Sequence, residues 1–141
     1  MRFPYHGAGI GLVMDGCLLM GRRSDTPFYG RWAVPGGGRE KTDPDELATA
    51  KREFREETGV DFDELETQAV CKWTLKVPFF SWSTYFYTVK AFDFELHSDE
   101  FSEFEWVPLD RLTGKGRKKH LRPFTGSEVR CLSKLLRNQQ A

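Results

Sequence analysis

The most informative stretch of this sequence is Arg52-Glu53-Phe54-Arg55-Glu56-Glu57-Thr58-Gly59-Val60. On an α-helix, which turns by about 100° per residue, the side chains of Glu53, Glu56 and Glu57 fall within an arc of about 100°. Like charges three and four residues apart oppose helix formation by about 0.2–0.5 kcal/mol per pair. A divalent cation would reverse the sign of this interaction, and Mg²⁺ or Mn²⁺ prefers such hard oxygen ligands. The stretch therefore predicts a helix that carries a candidate metal site.

The flanking residues predict where this helix begins and ends. Asp43 can cap the N-terminus, Pro44 suits the first helical position, and Gly59 supplies the C-terminal stop. Three apolar residues recur at i, i+3 and i+7 and form one stripe: Leu47, Ala50 and Phe54. The arc of glutamates adjoins this stripe, so we expect the carboxylates where the helix meets the body of the protein.

The acidic face also has a simpler interpretation. Solvated carboxylates balanced by Arg52 and Arg55 would give the same pattern without a metal ion. The preceding loop favours the metal site, because the glycines at residues 36–38 let the backbone approach a ligand closely. A plain tight turn after a short strand is the alternative for these glycines. The residues alone leave both alternatives open.

The rest of the chain is predicted to form strands and one further helix. Asp15-Gly16 joins two short apolar runs and favours a type I′ hairpin turn, and Pro78 is expected at a turn or strand end. A final helix begins near Thr125, where Thr125 and Glu128 match a capping box. The predicted strands cover residues 9–14, 17–21, 32–34, 69–77, 82–94 and 103–107. This order predicts an α/β protein with a mixed sheet covered on both faces.

Length and composition limit the class of protein. The 141 residues suit one domain, which we expect to span residues 1–141. Lys plus Arg and Asp plus Glu each total 21, and this balance argues against binding to nucleic acid or anionic lipid by bulk charge. Apolar residues make up 39%, which excludes a disordered chain. Cys17, Cys71 and Cys131 indicate buried thiols in a reducing compartment, so we expect a cytoplasmic protein that does not span a membrane.

These motifs together resemble the signature of the Nudix hydrolase family (MutT-like), Gly-x5-Glu-x7-Arg-Glu-U-x-Glu-Glu-x-Gly-U, in which U is aliphatic or aromatic. The signature maps onto residues 38–60, and these positions agree with it: Gly38, Arg52, Glu53, Phe54, Glu56, Glu57, Gly59 and Val60. The family's preceding Trp-x-x-Pro-Gly-Gly is present at residues 32–37, and residues 102–107 resemble its strand with a Glu and a Trp. One position departs. The mid-signature Glu is replaced by Pro44, unless a loop longer by one residue gives that place to Asp43.

The resemblance implies a fold and an activity. The expected fold is the Nudix fold, an α/β/α sandwich with a central mixed β-sheet. The expected activity is Mg²⁺-dependent hydrolysis, with Mn²⁺ as a substitute, of the pyrophosphate bond in a nucleoside diphosphate linked to another moiety. Nucleotide sugars and (d)NTPs are the leading substrate classes, and ADP-ribose, dinucleoside polyphosphates and capped RNA stay open.

The resemblance also implies site residues. The implied metal ligands are Glu53, Glu56, Glu57 and the backbone carbonyl of Gly37. The implied catalytic residues are Glu53, Glu57, Arg52 and Glu103, with Arg52 orienting the glutamates by a salt bridge. The general base stays open among Glu53, Glu100 and Glu103.

Substrate contacts are predicted from residue type and position. Arg23, next to Arg22, follows the first hairpin and could hold a phosphate group. Aromatic side chains that could stack on a base or sugar are Phe28, Tyr29, Trp82 and Tyr85, of which Phe28, Tyr29 and Tyr85 join Arg23 as the predicted substrate-binding residues. Aromatic residues in strands also serve as core, so this alternative remains.

Two other functions stay open at this point. Pro44 fits a non-catalytic nucleotide-binding or regulatory module of the same fold. The basic stretch at residues 111–122 could contact a second phosphate or a polynucleotide end, the latter in a nucleic-acid-binding domain, although it is also typical of a solvated loop. We expect a nucleotide-derived small molecule as the partner, no membrane and no nucleic acid, with a homodimer as a candidate assembly.

Overall fold

The computed structural model describes residues 3–25, 28–93, 95–96, 98–112, 121–123, 125 and 127–132. Its strands are β1 (Tyr5–Met14), β2 (Cys17–Arg23), β3 (Trp32–Ala33), β4 (Gly36–Gly38), β5 (Thr67–Val77), β6 (Phe80–Val89) and β7 (Phe101–Pro108). The helix α1 spans Glu46–Thr58, and short 3₁₀ helices lie at Phe62–Glu64 and Leu109–Arg111. Residues 127–132 are also helical.

The strands form one mixed sheet in the order β3-β2-β1-β6-β5. The central strands β1 and β6 run parallel, and the other pairs are antiparallel. Away from β6, β1 pairs with β2 at Val13 and Met14 and with β4 at residues 7–9. The strand β7 pairs with β2. The glycines of β4 thereby lie beside β1 and in contact with α1.

The two turns predicted from the sequence, at Asp15-Gly16 and at Pro78, are confirmed. Asp15 and Gly16 have φ angles of 51° and 75°, the left-handed values that a type I′ turn needs. A Cβ atom at Gly16 would meet nothing within 4 Å, so backbone conformation rather than space favours glycine there. Pro78 lies in the turn between β5 and β6, as expected.

The start of α1 differs from the prediction. Asp45, not Asp43, caps the helix, since its carboxylate accepts a hydrogen bond of 2.8 Å from the backbone N–H of Ala48. Pro44 precedes this cap and so lies outside the helix. The predicted stop at Gly59 is confirmed, with a φ of 78° and its N–H bonded to the carbonyl of Arg55. The physical reason for the shift is that the Asp43 side chain is engaged elsewhere, as described below.

Helices cover the sheet on both faces, as the α/β/α sandwich requires. The cluster under α1 contains Ala8, Ile10, Leu12, Leu19, Ala50, Phe54, Val60 and Phe62. The cluster on the opposite face contains Val13, Leu18, Met20, Trp32, Val34, Phe86, Val107, Leu112, Leu121, Val129 and Leu132. The predicted stripe on α1 is confirmed, because Ala50 and Phe54 are fully buried and Leu47 packs beside them. Full burial of a large apolar side chain such as that of Phe54 stabilises the fold by about 1.5–3 kcal/mol.

Residues 127–132 are helical, close to where the final helix was predicted. The predicted capping box is wrong, because the Glu128 carboxylate accepts a hydrogen bond from the hydroxyl of Thr84 in β6 and lies beside Arg122. The strands β5, β6 and β7 occupy the predicted regions with shifted ends; the predicted strand end at Phe94 lies outside the described residues. In the part of the chain that is described, we find no helix with the length and apolar character needed to cross a membrane.

Candidate functional site

Three glutamates from two separate segments meet beside β4. Carboxylate oxygens of Glu53, Glu57 and Glu100 lie within 4.8 Å of one another. We call these three residues the glutamate cluster. Glu53 and Glu57 are four residues apart on α1 and therefore share one face of the helix, whereas Glu100 comes from the loop before β7.

Glu57 is the most deeply buried member, with 1% of its surface exposed. Its Oε2 accepts a hydrogen bond of 2.9 Å from the backbone N–H of Gly36. Its Oε1 is also buried and has no hydrogen-bond partner among the described residues. A buried polar atom without a partner is costly, so this oxygen marks a place where a ligand would be favourable.

Glu53 lies against the glycine backbone of β4. A Cβ atom at Gly37 would come within 2.5 Å of the Glu53 Cδ and within 2.7 Å of both carboxylate oxygens. Glycine at residue 37 therefore gives the Glu53 carboxylate the space that a side chain would take. The predicted metal ligands Gly37 and Glu53 are thus neighbours in the structure.

Glu100 reaches the cluster through a turn built on Ser98. The hydroxyl oxygen of Ser98 accepts hydrogen bonds of 3.0 Å from the backbone N–H groups of Glu100 and Phe101. The Glu100 carbonyl in turn accepts a hydrogen bond of 2.8 Å from the backbone N–H of Ser24, just after β2. These contacts fix the loop against the end of the first hairpin.

The electrostatics of the cluster favour a bound cation. Burial raises the pKa of Glu57 well above its usual range, and the neighbouring carboxylates of Glu100 and Glu53 raise it further. Burial also raises the pKa of Glu53, against the lowering effect of Arg52. Because the donors are carboxylate oxygens and one of them lacks a partner, the residues present fit a hard divalent cation such as Mg²⁺ or Mn²⁺.

Arg52 joins α1 to β4 and to the preceding loop. Its Nε and Nη2 donate to the two carboxylate oxygens of Asp43 at 3.0 and 2.9 Å, and Nη2 also donates to the Gly38 carbonyl at 2.8 Å. Its Nη1 donates to Glu53 at 3.0 Å. The hydrogen bonds from Arg52 hold the pKa of Asp43 well below its usual range. Asp43, the alternative to Pro44 for the mid-signature acid, thus contacts Arg52 through both of its carboxylate oxygens.

Two of the predicted site glutamates lie outside the glutamate cluster. Glu56 is exposed and its carboxylate is bound by Arg52 Nη1 at 3.2 Å, the same nitrogen that contacts Glu53. Glu103 lies in β7 opposite Arg22 and is exposed. Of the three candidates for the general base, the structure brings together Glu53 and Glu100.

A pocket of about 210 Å³ opens beside the cluster. It is lined by Tyr5, Arg23, Phe28, Gly36, Gly37, Gly38, Glu53, Phe80, Trp82, Glu100 and Arg122. Two of the predicted substrate-binding residues, Arg23 and Phe28, are in this lining. The pocket thus combines acidic, basic and aromatic groups within one small volume.

The other two predicted substrate-binding residues are placed elsewhere. Tyr29 is 72% exposed next to Phe28. Tyr85 packs on the α1 side of the sheet, with the Lys72 ammonium 5.2 Å from its ring centroid. Side chains of a strand alternate between faces, so Tyr85 and the pocket residue Trp82 point to opposite sides of β6.

Tyr5, Phe80 and Arg122 line the pocket but are not among the site residues predicted from the sequence. Arg122 belongs to the basic stretch predicted as a solvated loop or as a contact to a second phosphate or to nucleic acid, and residues 113–120 of that stretch lie outside the described residues. The structure buries Arg122, so the solvated-loop interpretation is wrong for that residue. No local spacing in the sequence distinguishes it from its neighbouring cations.

Comparisons with known proteins agree with this architecture. A structure of a C. elegans Ap4A hydrolase binary complex is 22% identical, with a TM-score of 0.75 over 94% of this chain and 98% of that one. A MutT NUDIX hydrolase from Burkholderia pseudomallei is 26% identical, with a TM-score of 0.63 over 92% and 98% of the two chains. A bifunctional NMN adenylyltransferase/ADP ribose pyrophosphatase from Francisella tularensis is 17% identical, with a TM-score of 0.75 over 92% of this chain and 41% of that one.

The homodimer considered from the sequence gains no support from these likenesses. A family model described as the NUDIX domain matches residues 5–125, which include the signature, the glutamate cluster and the seven strands that the structure describes. With that match and the α/β/α architecture together, the chain belongs to the NUDIX domain family.

Proposed function

We propose that this protein is a divalent-metal-dependent hydrolase that cleaves the pyrophosphate bond of a nucleoside diphosphate linked to another moiety. The observation that carries this proposal is the glutamate cluster, whose oxygens lie within 4.8 Å of one another beside a pocket with two arginines. Two of the similar proteins are named for nucleotides, Ap4A and ADP ribose, which agrees with this chemistry.

Each member of the cluster has a distinct role in this proposal. Glu53 and Glu57 hold the metal ion, because each is buried and anchored, Glu53 by Arg52 and Glu57 by the N–H of Gly36. We assign the Gly37 carbonyl as a further oxygen ligand, because Gly37 lies against the Glu53 carboxylate. Glu56 lies next to this site, since Arg52 Nη1 contacts both Glu53 and Glu56. When bound, Mg²⁺ would neutralise the diphosphate oxygens and stabilise the charge that develops in the transition state.

Glu100 suits the role of general base. It lines the pocket and is exposed, so it can take a proton from an attacking water and release it to solvent. The water attacks phosphorus, the bridging P–O bond breaks, and the products are a nucleoside monophosphate and a phosphorylated fragment. Arg23, in the same lining, binds phosphate oxygens, which its planar guanidinium recognises bidentately.

The experiment that tests the proposal is a panel of nucleoside diphosphate derivatives and (d)NTPs incubated with Mg²⁺ or Mn²⁺. We expect metal-dependent release of a nucleoside monophosphate, and ¹⁸O from labelled water in one of the products. Glu57→Gln should lower turnover by at least about 100-fold, since it removes a metal ligand. Glu66→Gln, an exposed carboxylate just before β5, is the matched control and should leave turnover unchanged.

A different result would favour the non-catalytic alternative. Nucleotide binding in the presence of Mg²⁺ without product release, across the whole panel, would mean that the chain is a binding or regulatory module. Equal turnover in Glu57→Gln and the wild type would remove the metal assignment.

A further inference from the structure

Tyr5 is a lining residue of the pocket beside the glutamate cluster. The chain has four tyrosines, and Tyr5 is the one in this lining. It is the first residue of β1 and shares one face of that strand with Gly7 and Gly9, where Cβ atoms would meet the ring of Trp82. None of the roles proposed for the site uses the Tyr5 hydroxyl.

Contacts with β6 and the turn before it hold the Tyr5 ring in place. The ring stacks on that of Phe80, with centroids 5.8 Å apart and an angle of 16° between the planes. The backbone N–H of Tyr5 donates a hydrogen bond of 2.8 Å to the carbonyl of Phe79. Tyrosine has only two side-chain torsions, so a ring packed in this way loses little conformational entropy when its hydroxyl binds a ligand.

The hydroxyl end of the ring lies against the backbone of β4. A Cβ atom at Gly38 would come within 3.2 Å of Tyr5 Cε2 and within 3.6 Å of its hydroxyl oxygen. A Cβ atom at the preceding Gly37 would meet the Glu53 carboxylate. The Tyr5 hydroxyl and the Glu53 carboxylate therefore lie against neighbouring glycines of one short strand, and both residues line the pocket.

The Tyr5 hydroxyl is an uncharged donor that the protein leaves available. It makes no hydrogen bond with any residue that the structure describes. Burial raises the pKa of Tyr5, and the charge of Glu53 raises it further. The positive charges of Arg122 and Arg23 act in the opposite direction but do not cancel this rise. The phenol therefore stays protonated at neutral pH and can donate its O–H to an acceptor in the pocket.

We propose that the Tyr5 hydroxyl donates a hydrogen bond to a phosphate oxygen of the bound diphosphate, which makes Tyr5 a substrate-binding residue of the metal site. This inference rests on the proposed function, since that function places the reacting diphosphate at the glutamate cluster. The ionised oxygens of a diphosphate are hydrogen-bond acceptors, so a donor without a partner matches them. Because the phenol is uncharged, it can bind phosphate without forming an ion pair with Glu53, as a lysine or arginine in its place would do.

The test uses methylenediphosphonate, which carries no base or sugar and whose P–C–P bridge is not hydrolysed. Its Kd is measured by calorimetry at saturating Mn²⁺. Tyr5→Phe removes the hydroxyl and keeps the ring that stacks on Phe80. Because hydrogen bonds to charged acceptors are the strong ones, this variant should raise the Kd at least about 10-fold. The Kd of Mn²⁺ alone and the Tm should stay as in the wild type.

Tyr87→Phe is the matched control. Tyr87 packs in the cluster under α1, with its ring centroid 4.7 Å from that of Phe62, and is outside the pocket lining. The control should therefore bind methylenediphosphonate as the wild type does. With a hydrolysed nucleotide substrate, Tyr5→Phe should lower kcat/KM at least about 10-fold, and Tyr87→Phe should leave it unchanged.

Four outcomes would overturn this inference. If Tyr5→Phe binds methylenediphosphonate as tightly as the wild type, the hydroxyl does not contact the diphosphate. If Mn²⁺ alone also binds more weakly to Tyr5→Phe, the hydroxyl supports the metal site instead. If Tyr5→Phe does not fold or has a lower Tm, the hydroxyl stabilises the fold rather than the ligand. The inference also fails if the wild type binds no methylenediphosphonate.

These outcomes differ from the one that refutes the proposed function. Metal-dependent release of a nucleoside monophosphate by the wild type leaves that function standing, whatever Tyr5→Phe does. Conversely, a wild type that binds methylenediphosphonate through Tyr5 but hydrolyses no compound of the panel would refute the hydrolase and keep the role of Tyr5 in diphosphate binding.

Discussion

Replacing Gly37 by alanine separates the geometry of the candidate metal site from the stability of the fold. A Cβ atom at this position would lie 2.5 Å from the Glu53 Cδ. The clashing atoms are the end of a side chain, which can move, and Gly37 does not adopt a left-handed φ. The pairing of Gly37 with Ala8 between β4 and β1 can therefore persist in the variant.

The displacement of Glu53 can be worked out from this distance. The carboxylate has to retreat by about 0.9 Å to reach ordinary van der Waals contact at 3.4 Å. A displacement of about 1 Å in a catalytic group can cost about 100-fold in rate. We therefore expect Gly37→Ala to lower kcat/KM by about 100-fold and to weaken Mn²⁺ binding, while the free energy of unfolding changes by less than about 1 kcal/mol.

The neighbouring glycines are the controls. At Gly36 a Cβ atom would lie 2.6 Å from the Ala8 carbonyl oxygen and from the Gly9 Cα, so Gly36→Ala pushes β4 from β1 and should cost at least about 1–3 kcal/mol. At Gly38 the nearest atom is a Tyr5 ring carbon at 3.2 Å, so Gly38→Ala should be close to wild type in stability. The assays are thermal unfolding, Mn²⁺ titration and steady-state kinetics on one substrate.

Two results would refute this reasoning. A fully active Gly37→Ala protein would mean that the position of the Glu53 carboxylate does not matter for turnover. A loss of stability in Gly37→Ala as large as that in Gly36→Ala would mean that the clash is absorbed by the backbone rather than by the Glu53 side chain.

Three further predictions concern the neighbouring carboxylates. Asp43→Asn should destabilise the fold by about 1–3 kcal/mol at pH 7, as measured by urea unfolding. Because the pKa of Asp43 lies below its usual range, this difference in the free energy of unfolding should shrink as the pH falls below about 4. Since the pKa of Glu57 is raised, its stabilising contribution is lost as the pH rises above about 4.3. In the absence of metal, Glu57→Gln should therefore unfold at a higher temperature than the wild type at pH 7 but not at pH 4. Mg²⁺ should no longer raise the Tm of this variant. Glu56→Gln removes an exposed pair with Arg52 worth about 0.3–0.5 kcal/mol, and its loss of kcat at saturating Mg²⁺ should be smaller than that of Glu57→Gln.

The elements that follow from local patterns were predictable from the sequence. The type I′ turn at Asp15-Gly16 and the end of α1 at Gly59 depend on left-handed backbone angles at those very residues, so residue type alone indicates them. The apolar stripe on α1 is likewise confirmed, because helical spacing places its residues on one face. The cap of α1 was wrongly assigned to Asp43, since Asp43 and Asp45 both suit a cap and only the contact with Arg52 distinguishes them.

The sequence by itself therefore determined the family signature, the main helix and the pairing of Glu53 with Glu57 on one face, because these depend on spacings within a few turns of chain. Tertiary structure alone decided that Glu100 joins them and that Arg122 is buried beside Trp82. Both residues come from distant segments, and their places depend on how β7 pairs with β2 and how residues 121–122 dock beside Trp32. Contacts of this kind arise from packing between elements, which leaves no periodic trace in the local sequence.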